Sequence, residues 1–284
     1  MTTNNPLTID NIVYLLNQEN YTVEQLTTLS VDNPNRFKLS DYNKFAKKLL
    51  DYFFTDYVTI KMSYDGPEYF GAPILLNERI KLKWLENFSS IEFNSLYPNI
   101  IVKLWEKGEL KFNIYEFGII FKFIVQNYKT IKKNPNLTDV SRLLIKYFIN
   151  FTFGATVNRF DTSFIYLNSH DKIVSYTKET FEHLMEQNTN NIFYIDTDTI
   201  YLDYITPEVL SNVKSLGVPY SIETNLNGMF LEKKRYQIQK NGDLKIRGLQ
   251  GSFRSKYKLE KNRINKLQKI LHKIHERDET QLVN

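Results

Sequence analysis

Three carboxylates carry the spacing that chemistry would need. The stretch Phe193-Tyr194-Ile195-Asp196-Thr197-Asp198-Thr199-Ile200-Tyr201-Leu202 sets two of them in an apolar, β-prone run. The turn between its arms is too short to bury them, and in a strand residues two apart face the same side. The reading is a hairpin whose tip carries Asp196 and Asp198 into one small volume. Like charges that close repel unless a cation stands between them, and oxygen-only ligands suit Mg²⁺ or Mn²⁺. Asp and Thr are also ordinary turn residues, so the stretch alone is what a plain hairpin turn looks like too.

The third carboxylate, Glu92, sits in Ser90-Ile91-Glu92-Phe93-Asn94-Ser95-Leu96-Tyr97-Pro98. Ile91 to Phe93 reads as the end of a buried strand, and Pro98 suits the first turn of a helix that Gly108 closes. A strand running into a helix start offers backbone N–H groups around Ser95, Leu96 and Tyr97, where an anion can bind. By itself Glu92 is an edge residue.

Basic residues gather on two other elements. Tyr115 to Lys133 reads as one apolar helix ending in Lys129, Lys132 and Lys133, broken at Asn134-Pro135-Asn136. Thr138-Asp139 caps a second helix running to about Thr152, closed by Phe153-Gly154, so the pair makes an antiparallel hairpin. Arg142, Lys146 and Asn150, four apart, form one polar stripe; without context it is a solvent-facing one. Met229 to Gln239 and Leu244 to Gly248 read as two strands turned at Asn241-Gly242, carrying Lys233, Lys234, Arg235, Lys245 and Arg247.

Elsewhere the patterns are structural. Residues 1 to about 55 are helical: Thr22 with Gln25 is a capping box, and Ser40-Asp41 caps a helix with Tyr42, Phe45, Leu49 and Phe53 on one face. Tyr57–Met62, Tyr69–Leu76 and Ser163–Leu167 read as extended, with a turn at Asp65-Gly66-Pro67. Thr177 to Gln187 is a helix, and Ser255 to Arg277 a basic amphipathic one.

The 284 residues are 42% apolar and 14% aromatic, enough for a substantial core. Absence of cysteine excludes disulfides, thiol catalysis and cysteine-bound metal. The histidines His170, His183, His272 and His275 form no ligand pattern. The start shows no basic-then-apolar leader, and the apolar run Ile119 to Val125 is interrupted by Lys122, so no signal peptide and no membrane association are expected. A net charge of +5 and a pI near 9.0 favour a polyanionic partner, nucleic acid being the simplest; a solvated basic surface is the plainer reading. Richness in Asn, Lys, Ile and Tyr is the association of an AT-rich genome, with a viral source and a cytoplasmic location, the host's in that case, as expectations.

Four segments stand in order: the strand and turn with Ser-Leu-Tyr-Pro, a helix with Lys-x-x-x-Asn-x-x-Phe-Gly, the Tyr-x-Asp-Thr-Asp hairpin, and Lys-Lys-Arg-Tyr before Lys-Ile-Arg-Gly. From about Tyr69 to Leu249 this closely resembles the polymerase module of family B (polymerase-alpha-like) DNA polymerases. The resemblance implies an α+β right-hand fold: an antiparallel-sheet palm, helical-hairpin fingers and a very short helical thumb. Its parts would be a helical region at 1–68, palm at 69–110, fingers at 111–156, palm again at 157–250, and thumb at 251–284. It implies template-directed DNA synthesis with two Mg²⁺ or Mn²⁺ ions, held by Glu92, Asp198 and the Phe93 main chain about 4 Å apart. Asp196 takes a secondary role. Ser95, Leu96 and Tyr97 would cradle a dNTP triphosphate, with the Tyr97 ring excluding a 2′-hydroxyl. Lys129, Lys132 and Lys146 would contact its phosphates, and Asn150 would shape its pocket. Lys233, Lys234, Arg235, Tyr236, Lys245 and Arg247 would hold primer–template DNA by its backbone.

Three departures qualify it. The family has Asp where this chain has Glu92, one methylene longer. Val125 occupies the place of a fingers Arg. Few residues precede Glu92 and none forms an exonuclease motif, so proofreading or processivity is expected from another protein chain. The competing expectation is a catalytically silent homologue that binds DNA as an architectural subunit.

Overall fold

The computed structural model describes residues 3–27, 36–59, 73–81, 83–155, 170–241 and 243–247. In chain order these form α1 (Ile9–Asn17), α2 (Val23–Thr27), α3 (Leu39–Phe53), β1 (Ile74–Leu76), β2 (Trp84–Phe93), α4 (Leu96–Glu106), α5 (Tyr115–Gln126), α6 (Tyr128–Lys133) and α7 (Asp139–Ala155). Then follow α8 (His170–Gln187), β3 (Ile192–Asp196), β4 (Thr199–Leu202), α9 (Pro207–Ser215), β5 (Tyr220–Glu232), β6 (Arg235–Lys240) and β7 (Asp243–Arg247). Residues 60–62 and 69–72 of the extended readings, the turn at Asp65-Gly66-Pro67, the strand at Ser163–Leu167 and the basic helix from Ser255 lie outside the described residues. Among the described residues no helix is long and apolar enough to cross a membrane.

The chain makes two compact units, one of residues 1–71 with 95–176, the other of 72–94 with 177–284. The first is helical. Thr22 and Gln25 do form a reciprocal capping box, at 2.8 and 3.2 Å. Helix α3 starts earlier than its Ser40-Asp41 pair predicts. Lys38 is the N-cap and Asp41 sits inside the first turn, its carboxylate accepting from the Lys38 N–H at 2.9 Å. Tyr42, Phe45, Leu49 and Phe53 are all buried.

The expected single helix from Tyr115 to Lys133 is broken at Asn127. Its φ of −99° and ψ of 7° leave the helical region, and its side-chain amide donates to the Phe123 carbonyl at 2.9 Å. Asn competes for the very carbonyls a helix needs, which is why one such residue divides α5 from α6. Helix α8 begins at His170, seven residues ahead of the expected Thr177.

The second unit is built on a seven-stranded antiparallel sheet in the order β1-β3-β4-β2-β5-β6-β7. Phe88, Phe193, Tyr194, Tyr201, Phe230 and Tyr236 supply its buried aromatic cluster. The expected strand from Met229 to Gln239 is two strands, because Lys233-Lys234 turns the chain and Lys234 takes φ 65°. Strand β3 is separated from β6 by three strands, yet the Tyr194 hydroxyl accepts from the Lys234 N–H at 2.8 Å. The sheet must therefore curl, bringing the β5–β6 turn over β3.

Candidate active site

Antiparallel partners directly opposite one another share a face. The register pairs Asp196 with Thr199, Thr199 with Glu92, and Glu92 with Ser221. Asp196, Thr199 and Glu92 thus form one row across β3, β4 and β2, on the face that Tyr194 and Tyr201 also occupy.

Asp198 lies in the turn and reaches this row differently from the expectation. Thr197 adopts φ 63° and the Asp198 N–H closes back on the Asp196 carbonyl at 2.7 Å, a three-residue turn. That interruption cancels the two-apart alternation, so Asp196 and Asp198 do not form a pair of equals. The Asp198 carbonyl accepts from the Phe93 N–H at 2.8 Å, which locks the turn to the end of β2. Its carboxylate accepts from the Thr199 hydroxyl at 3.4 Å. Burial, then the charge of Glu92, push the Asp198 carboxyl above its ordinary range; Asp196 contributes least. Of the two neighbouring carboxylates, Glu92, 106 positions away in the chain, acts more strongly on Asp198 than Asp196 does.

Asp196 has its charge answered. Lys234 Nζ lies 3.1 Å from its Oδ1 and also donates to the Thr197 hydroxyl at 3.1 Å, while the Tyr236 hydroxyl donates to Oδ2 at 3.0 Å. Burial pushes the Tyr236 hydroxyl well up, so it remains a proton donor. Among the described residues neither Glu92 nor Asp198 has a cationic partner. An oxygen-only pair with excess negative charge fits a divalent cation. Among those residues no third His, Asp or Glu joins them, so the remaining ligands would come from main chain, water or substrate.

Left-handed backbone occurs at two residues close in sequence to these carboxylates. Ser95, three residues past Glu92, has φ 52°, and Thr197 is β-branched in the left-handed region. Each such residue costs about 1–3 kcal/mol and survives where surroundings over-determine it. Ser95 is the N-cap of α4 and makes no side-chain cap bond.

In the helical unit, the Tyr97 ring stacks on Phe153 at 4.0 Å and 7°. Leu96 is buried, while Lys129, Lys132, Lys146 and Asn150 are exposed. Val125 is buried, so its position points inward. Arg142, grouped by spacing with Lys146 and Asn150, is a structural clamp: it reaches the Lys132 and Asn134 carbonyls at 3.1 and 3.2 Å and Asp139 at 2.8 Å.

No family model matches the chain, and no curated protein matches it. Among solved structures it is similar to phi29 DNA polymerase complexed with single-stranded DNA, with 15% identity, 73% of this chain and 56% of that one covered, and a TM-score of 0.47. A ternary complex of phi29 DNA polymerase with primer-template DNA and incoming nucleotide gives 14% identity, 74% and 59% coverage, and 0.46. The family B DNA polymerase of the hyperthermophilic archaeon Pyrobaculum calidifontis gives 16%, 84% and 36%, and 0.48. The chain spans a little over half the length of the phi29 structures.

The remaining expected residues divide by burial. Lys233, Lys234, Arg235 and Arg247 are exposed on the β5–β7 strands and turns. Tyr236, expected against a duplex, is 2% exposed and belongs to the aromatic core. Lys245 pairs with Ile238 in the ladder, and its side chain lies outside the described set. Sequence reasoning missed Lys234 as the counter-ion of Asp196. No local signal carries it, since the contact depends on the curl of the sheet.

Proposed function

We propose that this chain carries out template-directed DNA synthesis, transferring a nucleotide from a dNTP to a primer 3′-hydroxyl. The supporting observation is the meeting of Glu92 and Asp198 at a turn locked to the end of β2, where no cationic side chain among the described residues balances them. Two Mg²⁺ or Mn²⁺ ions, when bound, would activate the hydroxyl and neutralise charge on the leaving pyrophosphate. Glu92, Asp198 and the Phe93 carbonyl would hold them. Asp196, fixed by Lys234 and Tyr236, orients the turn that presents Asp198. Main-chain N–H groups at the start of α4 and the exposed Lys129, Lys132 and Lys146 suit a triphosphate. Lys233, Arg235 and Arg247 suit a DNA backbone read without sequence preference.

A second reading, duplex binding without synthesis, draws on the extra methylene of Glu92. Both are tested by extension of a labelled primer by the wild type and by Glu92→Asp, each in Mg²⁺ and in Mn²⁺, against an Asp198→Ala background. Synthesis predicts wild-type extension above background in at least one metal. Salt-sensitive duplex binding with no extension under any condition replaces it by the second reading, and extension by Glu92→Asp alone assigns the loss to position 92.

A further inference from the structure

Helix α7, which carries Lys146 and Asn150, is tied to the amino-terminal helices at its start, middle and end. At the start the buried Ser141 hydroxyl lies 3.1 Å from the Leu16 carbonyl oxygen and 2.8 Å from Asn17 Oδ1. Asn17 Nδ2 also donates to the Asn136 carbonyl at 2.7 Å. In the middle, Phe148 stacks on Tyr42 at 5.2 Å and meets Phe45 edge-on at 5.1 Å. At the end, Tyr42 and Thr152, both fully covered, place their hydroxyl oxygens 2.9 Å apart. Thr152 gives its one proton to the Phe148 carbonyl at 3.1 Å, so Tyr42 is the donor between them.

Ser141, Ile145, Phe148 and Thr152 follow 4-3-4 spacing, one line along the helix, and all are buried. Lys146 and Asn150 stand about 130° and about 170° round from that line and are exposed. A helix gripped at both ends of one line can neither slide nor roll without breaking those ties. The direction of its polar stripe is then set by α1–α3.

We propose that the amino-terminal helices are a support that aims the Lys146–Asn150 stripe of α7, with Tyr42 as its positioning residue. The use of the stripe on a nucleotide rests on the function proposed above; the support itself does not. Misplacement by about 1 Å can cost roughly 10²-fold in rate, so a loss of aim is measurable long before unfolding.

The test uses the full chain, with Tyr42→Phe and the double variant Tyr42→Phe/Thr152→Val, which removes both hydroxyls and leaves an apolar pair. Hydrogen exchange is followed at the amides of 145–152, and primer extension gives KM for dNTP and kcat. Tyr42→Phe is expected to speed exchange in α7 at least several-fold while β2–β4 amides stay unchanged, and to raise KM for dNTP several-fold with duplex affinity constant. The double variant is expected to recover part of both. Unchanged exchange in α7 overturns the support. Faster exchange with an unchanged KM keeps the support and removes the nucleotide role of the stripe, and faster exchange in a chain that never extends a primer sinks the proposed function alone.

Discussion

The helical unit and the sheet unit use polar groups in opposite ways. Around α7, hydroxyls, amides and the Arg142 guanidinium are spent on holding geometry, each against a carbonyl or another side chain. At the turn end of β2–β4 the Asp198 carboxylate sits near that of Glu92, with a threonine hydroxyl and no cationic side chain among the described residues. Three groups answer Asp196, the Lys234 ammonium and the Thr197 and Tyr236 hydroxyls, whereas among the described residues neither Asp198, two positions on, nor Glu92 has a cationic partner. Unanswered charge of this kind is the ground on which a cation is proposed at this place.

The sharpest way to break that contrast is to remove each turn carboxylate in turn. Asp198→Ala is expected to lower primer extension at least about 10³-fold, as loss of a group acting directly on the reacting atoms does. Asp196→Asn leaves the Tyr236 bond an acceptor but discards the Lys234 ion pair, and a loss of about 10–100-fold is expected, the range of orienting partners. Equal losses in single-turnover assays would erase the distinction between the two.

Position 92 sharpens it further. Glu92→Asp shortens the side chain by one methylene, and on the proposed function its extension rate in Mg²⁺ is expected to exceed the wild type's by about 10-fold or more, with a smaller gain in Mn²⁺. A fall in both metals would mean that the backbone at the end of β2 is already matched to the longer acid.

The helical unit answers to packing instead. A methyl group on Gly118 of α5 would lie 2.7 Å from two Trp105 ring atoms and 3.0 Å from Phe112. Gly118→Ala is therefore expected to cost about 1–3 kcal/mol in thermal or denaturant unfolding. Duplex binding through the β5–β7 region should be untouched at temperatures where the variant is folded.

What could be read from the sequence follows from how local each cause is. Asn241-Gly242 announces its turn because those residues tolerate positive φ, and Asn241 has φ 49°. Thr22 and Gln25 announce a capping box for an equally local reason. Glu92 at a strand end, with a helix starting behind it, was legible from apolar runs and one proline. Lys234 was not: nothing in lysine favours φ 65°, and the turn is held by a hydroxyl forty positions away on Tyr194. The break at Asn127 was hidden because asparagine inside an apolar helix changes nothing in the periodicity. The unequal partnering of Asp196 and Asp198 was hidden for a similar reason, since strand alternation ends where Thr197 enters the left-handed region.

The smallest effect isolates the electrostatics without any assay of synthesis. Asp198 has its carboxyl raised above 3.8 by burial and by Glu92. A group whose folded pKa lies above its unfolded one adds stability that is complete below the unfolded value and is lost as pH rises through the folded value. Without divalent ions the protein should therefore lose stability as pH climbs from about 4 through the raised range. Asp198→Asn, which cannot ionise, should melt a few degrees higher than the wild type at pH 7, and the gap should close below the ordinary carboxylate range. Millimolar Mg²⁺ should reverse the order at pH 7, because a cation rewards the charge that burial penalises. If melting curves of the two chains coincide at pH 7 without metal, Glu92 and Asp198 do not confront each other, and the contrast between the turn's two carboxylates disappears with them.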